Sequence, residues 1–460
     1  MAEFVKRSRI ARPAEDVFGW HARPGALERL TPPWTTLEVV ERRGGIRDGD
    51  RVTFNLPLGP THVRWVAEHR DYVEGRQFRD VQIEGPFTRW EHTHRFEPDG
   101  PSASYLEDRI TYELPLGGIG ASLGEPFVRP MLEQMFAYRH ATTAQDLAAH
   151  AAYAGAPLHV AVSGSTGLVG SALVPFLTTG GHQVARLVRS KAKGDSSAIL
   201  WNPATGKIDA PALEGMDAVV HLAGETVAGA RWNDSVKARI LESRTRGTKL
   251  LAQTLAGLRQ PPKVWVAASA IGFYGDRQDT VLREDSGSGS GFLAEVCRQW
   301  EGATKPAEDA GIRVVHLRIG VVLSPAGGAL KAMLLPFKLG AGGRLGSGTQ
   351  YMSWISLDDL IGTILHVLRT DSLRDAVNAV APHPVTNAEF TRTLGHVLRR
   401  PTLLPVPAAA ARLAFGEAAD EMLLASSRVQ PARLQDTHYA FRHAVLEAAL
   451  RHVLGQPAIP

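Results

Sequence analysis

Leu158-His159-Val160-Ala161-Val162-Ser163, followed directly by Gly164-Ser165-Thr166-Gly167-Leu168-Val169-Gly170, is the stretch that decides how this 460-residue chain folds. The first six residues are a short, largely apolar run with the length of a buried strand. Glycine then recurs at every third position. An apolar helical run follows to about Thr179, and Gly180-Gly181 closes it with residues that tolerate positive φ. Gln183–Val188 reads as a second strand. Strand, glycine turn, helix, strand is the setting in which a glycine turn has a physical purpose. The backbone must approach a pyrophosphate closely, and the helix N-terminus must face the negative charge. The spacing here is G-x-x-G-x-x-G. It predicts a dinucleotide held by Gly164, Thr166, Gly167, Leu168, Val169 and Gly170.

The end of the second strand discriminates between cofactors. An acidic residue there would bind the ribose 2′-hydroxyl of NAD. This chain has Arg189-Ser190-Lys191 instead. Arginine pairs with a 2′-phosphate through charge-assisted hydrogen bonds, so Arg189 and Ser190 point to NADP(H). The plain alternative is a solvated arginine beside the strand. A further strand, Asp217–Leu222, runs into His221-Leu222-Ala223-Gly224-Glu225. Small residues at a strand's carboxyl end let a flat cofactor lie across the sheet, which assigns Leu222, Ala223 and Gly224 to the site. Glu225 and Arg231 follow in the loop, either closing over ribose and phosphates or lying on the surface. His221, inside a strand, reads as a packed core residue.

Toward the N-terminus the style changes. Residues 1–112 break into short strands at Glu3–Ile10, Thr35–Arg43, Asp50–Leu56, Thr61–Tyr72, Arg76–Ile83, Thr88–Phe96 and Ala103–Tyr112. Turn residues such as Gly44-Gly45, Gly59-Pro60 and Gly85-Pro86 separate them, as in an antiparallel sheet of hairpins. Helical pieces fall at Ala14–His21 and Gly25–Leu30, and a long helix spans about Glu125–Ala149. Phe127, Met131, Met135 and Tyr138 recur on that helix at three- and four-residue steps and predict its packing stripe. Ala148–Pro157 reads as a linker. This order of elements resembles the START-like, polyketide-cyclase-like (SRPBCC) helix-grip family. The resemblance implies a possible apolar ligand between sheet and helix, or a filled scaffold.

Composition narrows the remaining classes. With 44% hydrophobic and 21% charged residues, the chain fits folded globular domains and not a disordered tract. No block of basic residues suggests a nucleic-acid face. No long apolar run predicts a membrane span, and the first residues lack the apolar core of a secretory signal, so a cytoplasmic location is expected. The single cysteine, Cys297, excludes an intrachain disulfide and a cysteine-based zinc site. Asp358 and Asp359 open a helix as cap and dipole partners, and no metal-ligand set is assigned. Oligomeric state is left open.

Several further motifs fall in order after Gly164–Gly170 and His221–Glu225. They are Trp232 with Ile240-Leu241-Glu242-Ser243-Arg244, Ser269-Ala270-Ile271-Gly272-Phe273-Tyr274-Gly275, Gly291-Phe292-Leu293-Ala294-Glu295, Arg318–Leu323 and Trp354-Ile355-Ser356-Leu357-Asp358-Asp359. Together they resemble the extended short-chain dehydrogenase/reductases, in the "epimerase family" branch related to NAD-dependent epimerase/dehydratases. Leu403–Leu454 resembles the DUF1731-like tail of that branch. The fold implied is α/β: a Rossmann doubly wound parallel sheet preceded by an α+β helix-grip domain. The domains are placed at 1–150, 157–400 and 401–455, the last a small helical tail.

Active extended members use a serine and a Tyr-x-x-x-Lys pair, the lysine lowering the tyrosine pKa. Ser269 matches the serine. Phe292 and Val296 stand where the tyrosine and lysine fall. Phenylalanine has no proton to exchange and valine no charge. Tyr274 is then the best remaining proton donor, with Ser269 as its partner; otherwise it lines a pocket. Glu295, Cys297 and His316 read as packing or solvated face. Two functions follow. One is an NADP(H)-dependent oxidoreductase or epimerase of a small-molecule substrate, with unorthodox acid/base residues. The other is a non-catalytic NADP(H)-binding sensor whose N-terminal domain takes an apolar ligand.

Overall fold

The computed structural model describes residues 1–35, 37–58, 61–153, 155–191, 195–227 and 231–457. The Gly59-Pro60 turn and part of the expected linker lie outside the described residues. The chain divides into two compact units, built mainly on Met1–Ala154 and on residues 155–453.

In the first unit, β1 (Ala2–Ile10) leads into helices α1 (Ala14–Ala22) and α2 (Ala26–Leu30). Six strands follow: β2 (Glu38–Arg43), β3 (Arg51–Leu58), β4 (Thr61–Val73), β5 (Gln77–Glu84), β6 (Arg89–Pro98) and β7 (Ser104–Glu113). Helix α3 (Gly117–Ala151) closes the unit. The seven strands form one antiparallel sheet in the order β1-β7-β6-β5-β4-β3-β2. Alternation along β6 turns Trp90, His92, His94 and Phe96 inward. Two apolar clusters fill the interior. Trp20, Phe18, Phe96 and Leu147 belong to one, and Trp65, Tyr112, Leu132 and Phe136 to the other.

Helix α3 corrects the expected stripe. Phe127 is 79% exposed and Met131 48% exposed, whereas Leu132 and Phe136 are fully buried. Of the predicted stripe, Tyr138 is buried and Met135 packs against the core, so only Phe127 and Met131 face outward. The buried line beside it runs Leu132, Phe136, His140, Thr143 and Leu147, and two of those five are polar, so apolar periodicity alone catches only part of the inward face. The helix also begins earlier and ends later than predicted, running to Ala151 and carrying Pro126 and Pro130 inside it.

The second unit opens with β8 (His159–Ser163), α4 (Gly170–Thr179), β9 (Gln183–Val188), β10 (Ala198–Asn202), β11 (Lys207–Ile208), β12 (Ala218–His221), α5 (Asp234–Ala256) and β13 (Val264–Ala270). It continues through β14 (Val281–Leu282), α6 (Phe292–Gly302), α7 (Lys305–Asp309), β15 (Arg313–Ile319), β16 (Val321–Leu323) and α8 (Gly328–Lys338). Next come β17 (Tyr351–Met352), β18 (Trp354–Ser356), α9 (Leu357–Arg369) and β19 (Asp375–Ala379). The main sheet has the order β11-β10-β9-β8-β12-β13-β15-β19, parallel but for β11. This is the doubly wound Rossmann arrangement, and its strand order reverses between β8 and β12. Near-continuous apolar strands such as β13, buried at six of seven positions, suit a sheet covered on both faces. The single helix expected over Phe292–Ala310 is two, because the chain leaves α6 at Gly302 and restarts at Lys305.

Candidate functional site

The carboxyl ends of β8, β12 and β13 build the site. At Gly164 the backbone turns with φ +70°, and a Cβ there would lie 2.8 Å from the Ala223 nitrogen. A Cβ on Gly170 would lie 2.2 Å from the Gly164 carbonyl oxygen. Both distances are closer than side chains come, so these positions require glycine. Gly167 N donates to Gly164 O at 3.0 Å, and Ser171 N to Gly167 O at 2.9 Å. Thr166 and Gly167 are exposed at the tip, Leu168 and Val169 are half-buried, and Gly170 starts α4.

His221 is core, as its position in the strand predicts. Its Nδ1 lies 2.6 Å from Ser163 Oγ and its Nε2 3.1 Å from Thr248 Oγ1. Burial lowers its pKa to about 4, so the ring is neutral. It ties the strand that enters the glycine turn to the strand that delivers Leu222 and Ala223. These two are half-buried, while Gly224, Glu225 and Arg231 are exposed. Helix α5 fixes that loop: Glu225 N donates to Ser243 Oγ at 3.2 Å, and Arg244 Nη2 donates to Glu225 O at 3.0 Å. Arg189 and Ser190 are exposed just beyond β9.

Ser269 and Tyr274 are not partners. Ser269, 2% exposed, donates to Glu301 Oε1 at 2.6 Å. Tyr274 is fully buried; its hydroxyl donates to Asn378 Oδ1 at 2.7 Å and accepts from Arg318 Nη1 at 2.9 Å. Burial pushes the tyrosine pKa up. Arg318 links the two hydroxyls, since its Nε and Nη2 donate to the two oxygens of Glu301. Its guanidinium also lies 3.5 Å from the centre of the Phe273 ring. The sequence carries one local signal for this network. An arginine ending the apolar strand Ile312–Leu317 needs a buried anion, and Glu301 supplies it from α6. Asn378, on β19, has no comparable local signal.

On α6, Phe292 is half-buried and packs edge-on to Trp232, with ring centres 5.1 Å apart. Val296 is buried. The first N–H groups of α6, from Phe292 and Leu293, donate to the carboxylate of Glu421 at 2.6 and 2.7 Å. Cys297 is buried and its thiol pKa is pushed up to about 11, the state of an unreactive packing residue. Glu295 pairs with Arg298 on the surface of the same helix. His316 contacts Thr304 Oγ1 at 2.9 Å.

Three family models cover most of the chain: "Polyketide cyclase / dehydrase and lipid transport" over 1–152, "NAD dependent epimerase/dehydratase family" over 160–379, and "Domain of unknown function (DUF1731)" over 406–453. Epimerase family protein Mb2239 of Mycobacterium bovis is 44% identical over 298 residues, covering 65% of this chain and 98% of that protein. This chain belongs to the epimerase family. Two solved structures of the family resemble it. The nucleoside-diphosphate sugar epimerase from Corynebacterium glutamicum superposes with TM-score 0.81 at 38% identity, over 98% of this chain and 90% of that one. Human epimerase family protein SDR39U1 (isoform 2), solved with NADPH, gives TM-score 0.60 at 37% identity, over 64% of this chain and 99% of that one. The structural likeness covers 98% of this chain in the first case and 64% in the second.

Proposed function

We propose that the Rossmann unit binds NADP(H) and that the protein is an oxidoreductase or epimerase of a small polar or sugar-like substrate, working without a Tyr-x-x-x-Lys pair. The observation that carries the cofactor reading is the tight glycine turn between β8 and the start of α4, where a Cβ on Gly164 or Gly170 would clash with the backbone of Ala223 or Gly164, at the point where the strand order reverses. Gly164, Thr166, Gly167, Leu168, Val169 and Gly170 hold the pyrophosphate. Arg189 and Ser190, exposed beside β9, take the 2′-phosphate. Leu222, Ala223 and Gly224 would leave room for the flat cofactor across the sheet, and Glu225 and Arg231 would close over its ribose or phosphates. NADPH in the human relative supports the choice of cofactor. When bound, the nicotinamide supplies or accepts a hydride.

The chain's own residues do the rest. Phe292 and Val296, at the tyrosine and lysine positions, exclude water and carry no proton. Arg318 donates to both oxygens of Glu301, and one of them also accepts from Ser269, so the serine hydroxyl is engaged inside the protein. Ser269 and Tyr274 therefore position the floor of the cleft, and the proton is exchanged by substrate or solvent. Their internal hydrogen bonds also favour the second reading, an NADP(H)-binding sensor whose first unit takes an apolar ligand, in line with the lipid-transport family description. The division at 1–150, 157–400 and 401–455 belongs to this proposal and is supported by the limits of the three family models. So does a cytoplasmic place; among the described residues no helix is long and apolar enough to cross a membrane.

Nicotinamide fluorescence titrations with NADPH and NADH, on wild type and Arg189→Ala, test the cofactor. NADPH is expected to bind at least tenfold tighter than NADH, with Arg189→Ala erasing the difference. Equal binding removes the 2′-phosphate role, and no binding removes the cofactor. Loss of NADPH absorbance with carbonyl compounds, or inversion of a sugar-nucleotide stereocentre seen by NMR with the cofactor unchanged at the end, identifies an enzyme, and neither change identifies a sensor.

A further inference from the structure

We propose that Asp80, His92 and His94 form a site for a divalent first-row transition ion, such as Zn²⁺, inside the first unit. Strand register assembles it. His69 stands opposite Asp80 across β4 and β5, Asp80 opposite His92 across β5 and β6, and His94 opposite Asp108 across β6 and β7. His92 and His94, two residues apart, share the inward face. His140 reaches the same row from α3. His92, His94, Asp108 and His140 are all at most 6% exposed, whereas the side chain of Asp80 is 24% exposed and gives the row a way in.

The geometry is that of a ligand set. Asp80 Oδ2 lies 3.2 Å from His94 Nε2 and 3.7 Å from His92 Nδ1, and one donor atom from each residue lies within 4.8 Å of the other two. Metal–ligand bonds of about 2.0–2.2 Å at tetrahedral angles place neighbouring ligand atoms roughly 3.3 Å apart. Behind the histidines stands a carboxylate. Asp108 Oδ1 is hydrogen-bonded to His92 Nε2 at 2.7 Å, and His94 Nδ1 lies 2.7 Å from the same oxygen, off the line of a good hydrogen bond. The other oxygen of Asp108 meets His140 Nε2 at 2.6 Å. A carboxylate that fixes the far nitrogen of a ligating imidazole is the usual companion of such sites.

The facing atoms point the same way. His92 Nδ1, His94 Nε2 and Asp80 Oδ2 face one point, while His69 Nε2 lies 2.9 Å from the other oxygen of Asp80. A dication there would take all three facing atoms as ligands beside two carboxylates. Three protein ligands leave at least one coordination position for a water or a small ligand. A network holding only protons is the competing outcome.

The test uses the full chain, stripped with a chelator and dialysed against Co²⁺ or Zn²⁺. The second unit holds another histidine–aspartate group, Asp358 with His443 and His452, and serves as control. One Co²⁺ per chain with a visible ligand-field spectrum is expected, displaced by Zn²⁺. Asp80→Asn, which keeps size and sits at the open edge, and His92→Gln should each weaken binding at least tenfold, and His443→Gln should leave it unchanged. No ion retained by the wild type overturns the proposal. So does binding that survives both first-unit changes or that His443→Gln abolishes.

Discussion

Arg318 and Glu301 face each other in two parallel hydrogen bonds of 2.9 Å, with side chains 6% and 11% exposed. Removing one member of such a pair strands a buried charge, at a cost of about 3–5 kcal/mol. Glu301→Gln should therefore lower the urea midpoint far more than Ser269→Ala, whose single hydrogen bond is worth about 1 kcal/mol. The double change Arg318→Met with Glu301→Leu should recover most of the loss. A Glu301→Gln midpoint equal to wild type would show the pair to be inert.

Acidity should act on the Rossmann unit through His221. Its folded pKa, about 4, lies below the ordinary value of 6.5. The unfolded chain takes up the proton first as pH falls. The associated stability is full above pH 6.5 and drains away toward pH 4, about 3 kcal/mol in all. Unfolding midpoints at pH 7 and pH 5 should differ less in His221→Gln than in wild type, because that variant has no proton to take up here. Equal slopes in the two proteins would remove His221 as the cause.

Glu421 supplies a charged cap to the start of α6. Glu421→Ala should cost about 1–2 kcal/mol, within the range for helix caps with favourable dipole geometry. Glu421→Gln keeps an acceptor and should lose less. Guanidinium melts of the three proteins order them, and an Ala variant as stable as wild type would contradict the capping role.

On α3, Phe136→Ala should cost about 3–5 kcal/mol and Phe127→Ser no more than about 0.5, since only the first is buried. Reversal of that order in thermal melts would restore the stripe that the sequence predicts.

Where the sequence was legible, local chemistry agreed with the fold. Gln183–Val188 is a strand at both stated ends, and the glycine turn lies where a helix must start under a tight backbone. The seven N-terminal strands follow from their alternation and turn residues. What escaped was non-local. Tyr274 looks like a loop tyrosine until Asn378 and Arg318 close on its hydroxyl. Glu301 looks like a surface residue until Arg318 ends a buried strand beside it. His92 and His94 mimic the polar phase of an alternating strand, yet they face inward, because Asp80 and Asp108 on flanking strands accept them. A pattern read along one strand does not register its neighbours.

The Glu421 cap joins α6 to a residue 129 positions later. Closing a loop of that length costs about 4 kcal/mol of chain entropy before the contact returns anything. A chain emerging from the ribosome thus has its glycine turn, strands β8 to β13 and α6 in hand well before that helix receives its last partner. The strands around the glycine turn should be able to form early, while the start of α6 waits for its acceptor until the tail arrives, so premature termination within the tail would leave that helix start uncapped on an otherwise ordered sheet.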